Sequence, residues 1–473
     1  MAQTFKDLTQ SDVVITRTLL HESIPVTGTI VSGTYAEASN GRELNIKSFE
    51  HGMFQSVYDY PHASSSANHI FDLSCGFSTT GNSVSSSATV QTQAKVNIYN
   101  QMAQILVGYD TGSNIRRFDA DGALADGTKH DNVLFFNFAR LLTKDEIKKG
   151  SFSMTLGNGV TYATPFSTER IVTDAASVTN YKINSPAGEY GILKTTEVKA
   201  SATLNFTNAP AEGNQVTIIA LNSDGSTTTS APFTVTGNSG TTDANEFARG
   251  GDNNGAANFV TAIGLSPIAA LVTVTRDGNT VTIEQKTAGS AGNTAITCTP
   301  TLANVSINGG TNGNSGQFTG GHTSTDIGLL YYQAGIAAVT ASVFDETANM
   351  DASNTKMEGM FKSKTIDEVS DSVRHRIKDI SFNNTTELNS TIYFCRANHN
   401  EFNYSSNPTY LNEHSKIRVK DTGLGGADNP PISYITTVGL YSADNELLAV
   451  AKLSEPLKKM SGNDLTLRVR LDY

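Results

Sequence analysis

A run of carboxylates is the first place in this sequence where side chains could bind a cation. Asp119 and Asp121 precede Gly122, and Asp126 and Asp131 follow it. An EF-hand calcium loop needs a further acidic residue before its glycine and a bidentate Glu near its end, where this chain has a threonine. We therefore expect a surface turn here, with a structural ion as the weaker alternative.

Three histidines form a second candidate for metal binding. His51, His62 and His69 lie close together in the sequence, with Asp59 and Asp72 beside them. Zinc would need three or four such side chains converging at about 2 Å, and the spacings match neither HExxH nor a zinc-finger pattern. We expect histidines in loops or at an interface, and we assign no metal ligand and no cofactor.

Cys395 is a candidate nucleophile, because His399 and His414 follow it. A buried structural cysteine in a strand is the better interpretation. Cys75 and Cys298 are distant, so neither a disulfide framework nor a CxxC zinc pattern is possible, and a reducing cytosol is indicated.

GxSxG, HExxH and Walker A motifs do not occur. A pair of carboxylates for glycoside hydrolysis would converge only in the fold, but the chain lacks the Trp that commonly lines such clefts. We predict no catalytic residue and no enzymatic activity.

The composition of the 473 residues favours β-structure. Hydrophobic residues make up 38% and charged residues 17%, with 40 Gly and no Trp. We therefore predict a mainly β fold with minor α. The net charge of −11 argues against a nucleic-acid or anionic-membrane partner. No apolar run approaches the roughly 18 residues of a membrane span, and we expect no signal peptide in residues 1–10.

Local signals predict the elements that must position these side chains. Apolar spacing predicts a helix over residues 95–107. Residues 133–142 are expected to form a strand, followed by a capping box at 143–146 that opens a short helix. A second capping box lies at 365–368, and residues 378–397 suggest a hairpin that turns at their paired asparagines.

The C-terminal residues have the clearest strand pattern in the chain. From Leu465 to Leu471 apolar and polar residues alternate. Together with strands over 433–441 and 447–453, this segment predicts a three-stranded meander.

A change of composition marks an insert. Residues 201–320 contain 10 charged residues, against 69 in the rest of the chain. Within them, Asp277-Gly278 predicts a hairpin and residues 256–263 a short helix. The apolar segments at 190–193 and 328–332 would pair if the insert were absent. We predict a β-rich inserted domain at 198–323, and a core built from residues 1–195 and 325–473.

A loop rich in Asn and Tyr is the candidate for binding other proteins. Phe402, Tyr404, Asn407 and Tyr410 combine large aromatic contact area with adaptable hydrogen bonding, as at many protein interfaces. A loop that packs on its own core is the alternative.

Several segments resemble virion structural proteins of contractile-tailed, T4-like bacteriophages; they are residues 52–60, 135–140, 144–152, 402–410, 434–441 and 447–454. The resemblance covers residues 1–195 and 325–473, and the insert is similar to small β domains spliced into phage tail proteins. It implies a non-catalytic tail or baseplate subunit, assembled in the host cytoplasm, whose partners are other virion proteins and copies of itself.

Alternatives of other classes remain. The chain could be a neck or capsid-associated structural protein, or a receptor-binding or carbohydrate-binding adhesin whose outward-facing insert contacts host-surface glycans. An adhesin would more often show sequence repeats, and none is found here.

Overall fold

The computed structural model of the protein describes residues 5–37, 42–80, 91–123, 127–238, 242–345, 347–404, 407, 413–414 and 431–472. The fold is mainly β with minor α, as the composition predicts. The strands are β1 (Val13–Thr27), β2 (Ile46–Ser48), β3 (Gln55–Tyr58), β4 (His69–Phe77), β5 (Phe118–Asp119), β6 (Lys129–His130), β7 (Asn132–Phe138), β8 (Glu146–Ile147), β9 (Ser153–Gly157), β10 (Glu169–Thr173), β11 (Lys182–Ser185), β12 (Gly188–Thr195), β13 (Lys199–Phe206), β14 (Gln215–Leu221), β15 (Thr227–Thr229), β16 (Phe233–Thr236), β17 (Glu246–Ala248), β18 (Val272–Asp277), β19 (Thr280–Ala288), β20 (Ala295–Thr299), β21 (Val305–Ile307), β22 (Gly316–Gln317), β23 (Asp326–Tyr331), β24 (Ile336–Thr340), β25 (Ile377–Ala397), β26 (Ile432–Tyr441), β27 (Leu447–Met460) and β28 (Leu465–Asp472). The helices are α1 (Gly28–Val31), α2 (Thr92–Leu106), α3 (Arg140–Thr143), α4 (Ser177–Asn180), α5 (Asp252–Leu265), α6 (Met357–Ser363) and α7 (Ile366–Arg374).

Contacts divide the chain into two compact units, a division that the sequence did not predict. The terminal unit comprises Met1–His21 and Thr385–Tyr473, and the central unit comprises Glu22–Asn384. The two chain ends are therefore brought together in one unit, while the insert belongs to the other.

One antiparallel sheet organises the central unit. Its strands follow the order β9, β10, β12, β23, β24, β7, β4, β3, β2. Helix α2 packs against β4, where Gly76 permits the close approach: a Cβ there would lie 2.7 Å from the Lys95 carbonyl oxygen and from the Tyr99 nitrogen. The buried apolar residues of this core come from both sides of the insert, between Val26 and Phe382.

The insert has a hydrophobic core of its own, whose buried residues all lie between Ala200 and Phe318. Strands β18, β19, β13 and β21 form one sheet, and β17, β16, β14, β20 and β22 form another. The ring of Phe259, on α5, contacts the rings of Phe206, Phe233 and Phe247. That residues 198–323 fold as a separate domain on a core of the two flanks stays a prediction.

Four predictions that rest on local signals are confirmed. Helix α2 covers the predicted helical segment, and α5 contains the shorter one. The Asp277-Gly278 turn joins β18 to β19. The Thr365 side chain accepts a hydrogen bond from the Glu368 nitrogen at 3.1 Å, and the Glu368 carboxylate accepts one from the Thr365 nitrogen at 2.7 Å, which is the predicted capping box.

Two predicted elements in the central unit are wrong. The capping box at residues 143–146 opens no helix: α3 ends at Thr143, Lys144 has a φ of 56°, and β8 follows. Ile147 in β8 is fully buried, and its nitrogen donates to the Tyr332 carbonyl at 3.0 Å.

The hairpin expected within 378–397 is instead the continuous strand β25. The hydrogen bonds of the Asn384 side chain are satisfied within the strand, because it donates to the Leu142 carbonyl and accepts from the Glu22 nitrogen.

The predicted C-terminal meander is also wrong. Strands β26 and β27 pair only with each other among the described residues, and β28 pairs with β25. The alternation along β28 identifies a strand with two different faces, but it does not identify the neighbouring strand.

Among the described residues, no helix has both the length and the apolar character needed to cross a membrane.

Candidate protein–protein interface

The described residues of the terminal unit form very little apolar core. Neither of the two hydrophobic cores contains any of these residues. Its described residues include four buried apolar side chains, each still 8 or 9% exposed; these are Ile392, Ala397, Leu440 and Val469. Burial of apolar area is the main force that stabilises a folded unit, and the described residues of the terminal unit supply little of it among themselves.

Large apolar side chains are instead exposed on the terminal unit. Eleven of them are exposed among its described residues, against twelve in the central unit, which is more than three times as long. The eleven are Phe5, Leu8, Val14, Ile15, Leu19, Leu20, Tyr434, Tyr441, Leu447, Leu448 and Val450. Exposed apolar side chains that form a contiguous patch mark surfaces that bind other proteins, which makes the terminal unit the candidate for such a surface.

The hairpin of β26 and β27 carries five of these side chains. Its strands are antiparallel, with Thr437 opposite Lys452 and Leu440 opposite Ala449. The register shifts between Ile435 and Thr437, so β27 bulges where Pro456 interrupts its hydrogen bonding. Leu448 is 67% exposed and Tyr434 62%, so the hairpin keeps apolar side chains in solvent along both strands.

Polar contacts hold the base of the hairpin. Lys459 is fully buried, and its Nζ donates to the Asn403 Oδ1 at 2.6 Å and to the His399 carbonyl at 3.3 Å. Burial lowers the pKa of Lys459, while Asp464 and Glu401 oppose that effect. The base is therefore ordered by hydrogen bonds rather than by an apolar core.

An aromatic contact anchors the chain's first described residues on the same hairpin. The rings of Phe5 and Tyr441 meet edge to face with 5.3 Å between their centroids. The Lys6 ammonium forms an ion pair with Glu401. Hydrogen bonds from Lys6 and from the Asn398 nitrogen lower the pKa of the Glu401 carboxyl, which keeps it ionised for this pair.

The predicted interface loop adjoins the hairpin. Phe402 and Tyr404 are half-buried, and Asn407 is exposed. The Phe402 backbone has a φ of 53°, and its carbonyl accepts a hydrogen bond from the Ser433 hydroxyl at the start of β26. Tyr410 lies outside the described residues. Their role in binding stays a prediction, but Phe402 does lie beside the exposed hairpin.

The carboxylates of the candidate calcium turn have protein partners. The Asp119 carboxylate is buried and pairs with Lys129, and Asp131 pairs with Arg117 at 3.0 Å. The Asp121 carboxylate accepts a hydrogen bond from the Ala123 nitrogen. Asp126 lies outside the described residues. The structure therefore places Asp119 in the buried strand β5 rather than in a surface turn.

Each of the three histidines contacts a neighbouring side chain. His69 pairs with Asp72 at 2.7 Å, His51 stacks on Phe49, and the ring of His62 lies near Tyr58. Within the residues that the structure describes, no group of three or more His, Cys, Asp or Glu side chains is placed to hold a metal ion.

Cys395 lies in β25 opposite Leu467 of β28, as expected for a cysteine in a strand. The side chain is half-buried, and burial raises the pKa of its thiol. A nucleophilic cysteine needs the thiolate, so this environment disfavours the Cys/His alternative.

Buried charges in the central unit support the fold. The Arg376 guanidinium is fully buried and donates to the carbonyls of Gly157 and Gly159 at 2.9 and 3.0 Å. The Asp174 carboxylate accepts a hydrogen bond from the Tyr332 hydroxyl at 2.9 Å, although burial raises the pKa of Asp174. Each of these groups forms hydrogen bonds with backbone or side-chain partners within the core, although the Arg376 Nε has no hydrogen-bond partner among the described residues.

Sequence reasoning did not single out the hairpin as a candidate interface and assigned that role to the neighbouring loop. One signal was available: β26 has no charged residue, although Tyr434 and Tyr441 within it are exposed. No protein-family model matches the chain, and no match was found among curated proteins or solved structures.

Proposed function

We propose that this protein is a structural subunit of the virion of a contractile-tailed, T4-like bacteriophage, located in the tail or baseplate. It acts without catalysis and holds the assembly together by protein–protein contacts. The resemblance of both flanks to virion proteins supports the kind of particle. The exposed apolar surface of the terminal unit supports the role in assembly.

The observation that carries the proposal is the contrast between the two units. The central unit and its insert each bury a large apolar core, whereas the terminal unit exposes its apolar side chains. A stable interface buries roughly 1,200–2,000 Å² and concentrates its energy in a few central aromatic and apolar residues. Contact with a neighbouring subunit would supply the burial that the terminal unit lacks.

Within the assembly we place the insert away from the lattice contacts. Its sequence contains few charged residues and no Tyr or Met between positions 201 and 320. Such a surface is poor in the residue types that dominate binding energy. An insert facing outward could contact host-surface glycans, whereas the loop at Phe402 contributes to the lattice.

Electron microscopy of native particles tests the location. Antibody raised against the purified chain is expected to label the tail or baseplate end of intact, washed particles. Label at the neck or capsid would overturn the assignment to the tail, but the chain would still be a structural protein of the virion. Absence of the chain from washed particles would overturn the virion proposal.

A matched pair of variants tests the role of the terminal unit. Ile15 in the terminal unit is 73% exposed, and Ile183 in the central unit is 74% exposed. Ile15→Lys is expected to reduce incorporation of the chain into particles strongly, because it places a charge in an apolar contact, whereas Ile183→Lys is expected to be incorporated normally. Equal incorporation of both variants would exclude this part of the surface from the interface.

A further inference from the structure

We infer that a cleft between the insert and strand β10 of the central sheet binds a neutral saccharide of one or two sugar units. The cleft has a volume of about 300 Å³, which is at the lower end of the range for small-molecule sites. Thr168 and Arg170 line it on the side of β10, and Asn293 and residues 317–321 line it on the side of the insert. Binding sites often lie where two folded parts of a protein meet.

The lining of the cleft can both donate and accept hydrogen bonds. Thr168 is half-buried, and Gln317 and Thr319 are exposed. A threonine hydroxyl donates one hydrogen bond and accepts others, and a glutamine amide also does both. Since each sugar hydroxyl has the same dual capacity, this lining matches a polyhydroxylated ligand. Gly320 leaves room for it, because a Cβ at that position would meet no atom within 4 Å beyond its chain neighbours.

The charge of the lining favours a neutral ligand. Arg170 is the only charged residue among the described residues that line the cleft. Its side chain is largely buried, with the residue 4% exposed, and it already interacts with another group of the chain. A buried cation requires such a partner. We therefore assign recognition to the neutral hydroxyl and amide groups and not to the guanidinium.

The wall that the insert contributes is held in place by Asn293. Its Oδ1 accepts a hydrogen bond from the Gly321 nitrogen at 2.8 Å, and its Nδ2 donates to the Gly321 carbonyl at 3.0 Å. Gly321 in turn lies against Gly289, where a Cβ on Gly321 would be 2.5 Å from the Gly289 carbonyl oxygen. Asn293 therefore shapes the cleft, and we assign direct contact with the ligand to Gln317 and Thr319.

Backbone hydrogen bonds fix both walls of the cleft. Ser201 and Thr319 exchange two of them across neighbouring segments of the insert, each at 2.9 Å. On the side of the central sheet, the Thr196 nitrogen donates to the Ile171 carbonyl of β10 at 2.9 Å. A ligand that enters a preformed cleft has little ordering of the protein to offset, so a few hydrogen bonds can suffice for weak, selective binding.

This inference rests on the proposed function, in which the insert faces outward and contacts host-surface glycans, and it names the site of that contact. Its test uses the isolated full-length chain, so that its outcome is separate from the particle labelling. Saturation-transfer NMR with maltose, lactose and N,N′-diacetylchitobiose is expected to detect binding of at least one of these neutral disaccharides.

Substitutions at Thr319 assign the binding to the cleft. Thr319→Val keeps the branched shape and removes one hydroxyl, so it is expected to weaken binding by about three- to tenfold. Thr319→Tyr should fill the cleft and abolish binding. Thr229→Tyr, at an exposed strand threonine elsewhere in the insert, is the matched control and should bind like the native chain. Unchanged thermal unfolding of Thr319→Val separates loss of the site from loss of the fold.

Three outcomes would overturn the inference. Absence of binding by all three disaccharides would exclude a neutral saccharide as the ligand. Binding by Thr319→Tyr as strong as that by the native chain would place the site elsewhere. Stronger binding of digalacturonate than of the neutral disaccharides would assign the cleft to acidic ligands. In each case the virion proposal would still be decided by the particle labelling alone.

Discussion

Ile192 and Leu329 lie directly opposite each other in the adjacent strands β12 and β23, although the whole insert separates them in the chain. Just beyond them, the Thr195 nitrogen donates to the Thr325 carbonyl at 3.0 Å. The central sheet therefore holds the entry and exit of the insert together, and the insert is not needed to close that gap.

Removal of the insert should leave a folded protein. Joining Thr196 directly to Thr325 would connect β12 to β23 by a short hairpin loop, a connection that antiparallel neighbours accept readily. We expect a soluble product with one cooperative thermal transition, measured by circular dichroism. A deletion that also removes Leu193 and Leu329 is the control and should aggregate, because it destroys the strand pairing. Aggregation of the first product would contradict the inserted-domain prediction.

Loss of the buried ammonium of Lys95 should lower the free energy of unfolding several times more than loss of an exposed ammonium. Its Nζ donates to the carbonyls of Phe361 and Lys364 at 2.8 and 2.6 Å, at the C-terminal end of α6. Lys95→Met would leave these buried carbonyls without a donor and is expected to lower the free energy of unfolding by about 2–3 kcal/mol.

Lys362 provides the matched control in the same helix. Its ion pair with Glu358 is solvent-exposed, so Lys362→Met should cost about 0.5 kcal/mol or less. Chemical denaturation of both variants makes the comparison. Equal losses would show that the buried hydrogen bonds of Lys95 contribute no more than a surface ion pair.

Local patterns predicted the parts of the fold whose causes are local. The capping box at Thr365 needs only residues within one helical turn, and the Asp277-Gly278 turn needs only its two flanking strands. The pairing of Ile192 with Leu329 was predictable despite its long range, because the polar insert leaves those two apolar segments as obvious partners.

Other features depend on contacts that no local pattern contains. The sequence predicts a turn at Asn384. In the structure this residue lies within a continuous strand, and its side chain forms hydrogen bonds with two distant segments. The alternation in β28 suits pairing with β27 as well as with β25. The candidate interface was missed for a related reason. From the sequence alone, an apolar residue such as Leu448 is expected in the core, whereas in the structure no described residue covers it.

Cys395 should react slowly with alkylating reagents. Burial raises the pKa of its thiol, so the thiolate fraction at neutral pH is smaller than for a free cysteine. We expect iodoacetamide at pH 7.5 to modify Cys395 in the native protein more slowly than in the unfolded chain, measured by peptide mass spectrometry. Rapid modification of Cys395 that is abolished when His399 is replaced by Ala would revive the nucleophile alternative.

Acid should destabilise the protein through His130. The side chain is 5% exposed, and among the described residues its Nε2 has no hydrogen-bond partner. Burial lowers the pKa of His130 from 6.5 to about 4, against the opposing effect of Asp326 and Asp131. Between pH 6.5 and about 4 the unfolded chain therefore binds a proton at this residue that the folded chain does not. The stabilisation is complete above pH 6.5 and is lost as the pH falls toward 4.

A non-titrating substitution isolates this contribution from that of the carboxylates. On acidification from pH 7 to pH 4.5, the native protein should lose about 2–3 kcal/mol more of its free energy of unfolding than His130→Gln does. His399, whose side chain is 70% exposed, provides the control: His399→Gln should show the same acid loss as the native protein. Denaturant titrations at the two pH values measure all three proteins. An equal loss in His130→Gln and in the native chain would mean that His130 already accepts a proton in the folded state near its ordinary pKa, and that its burial in the folded protein is not maintained in solution.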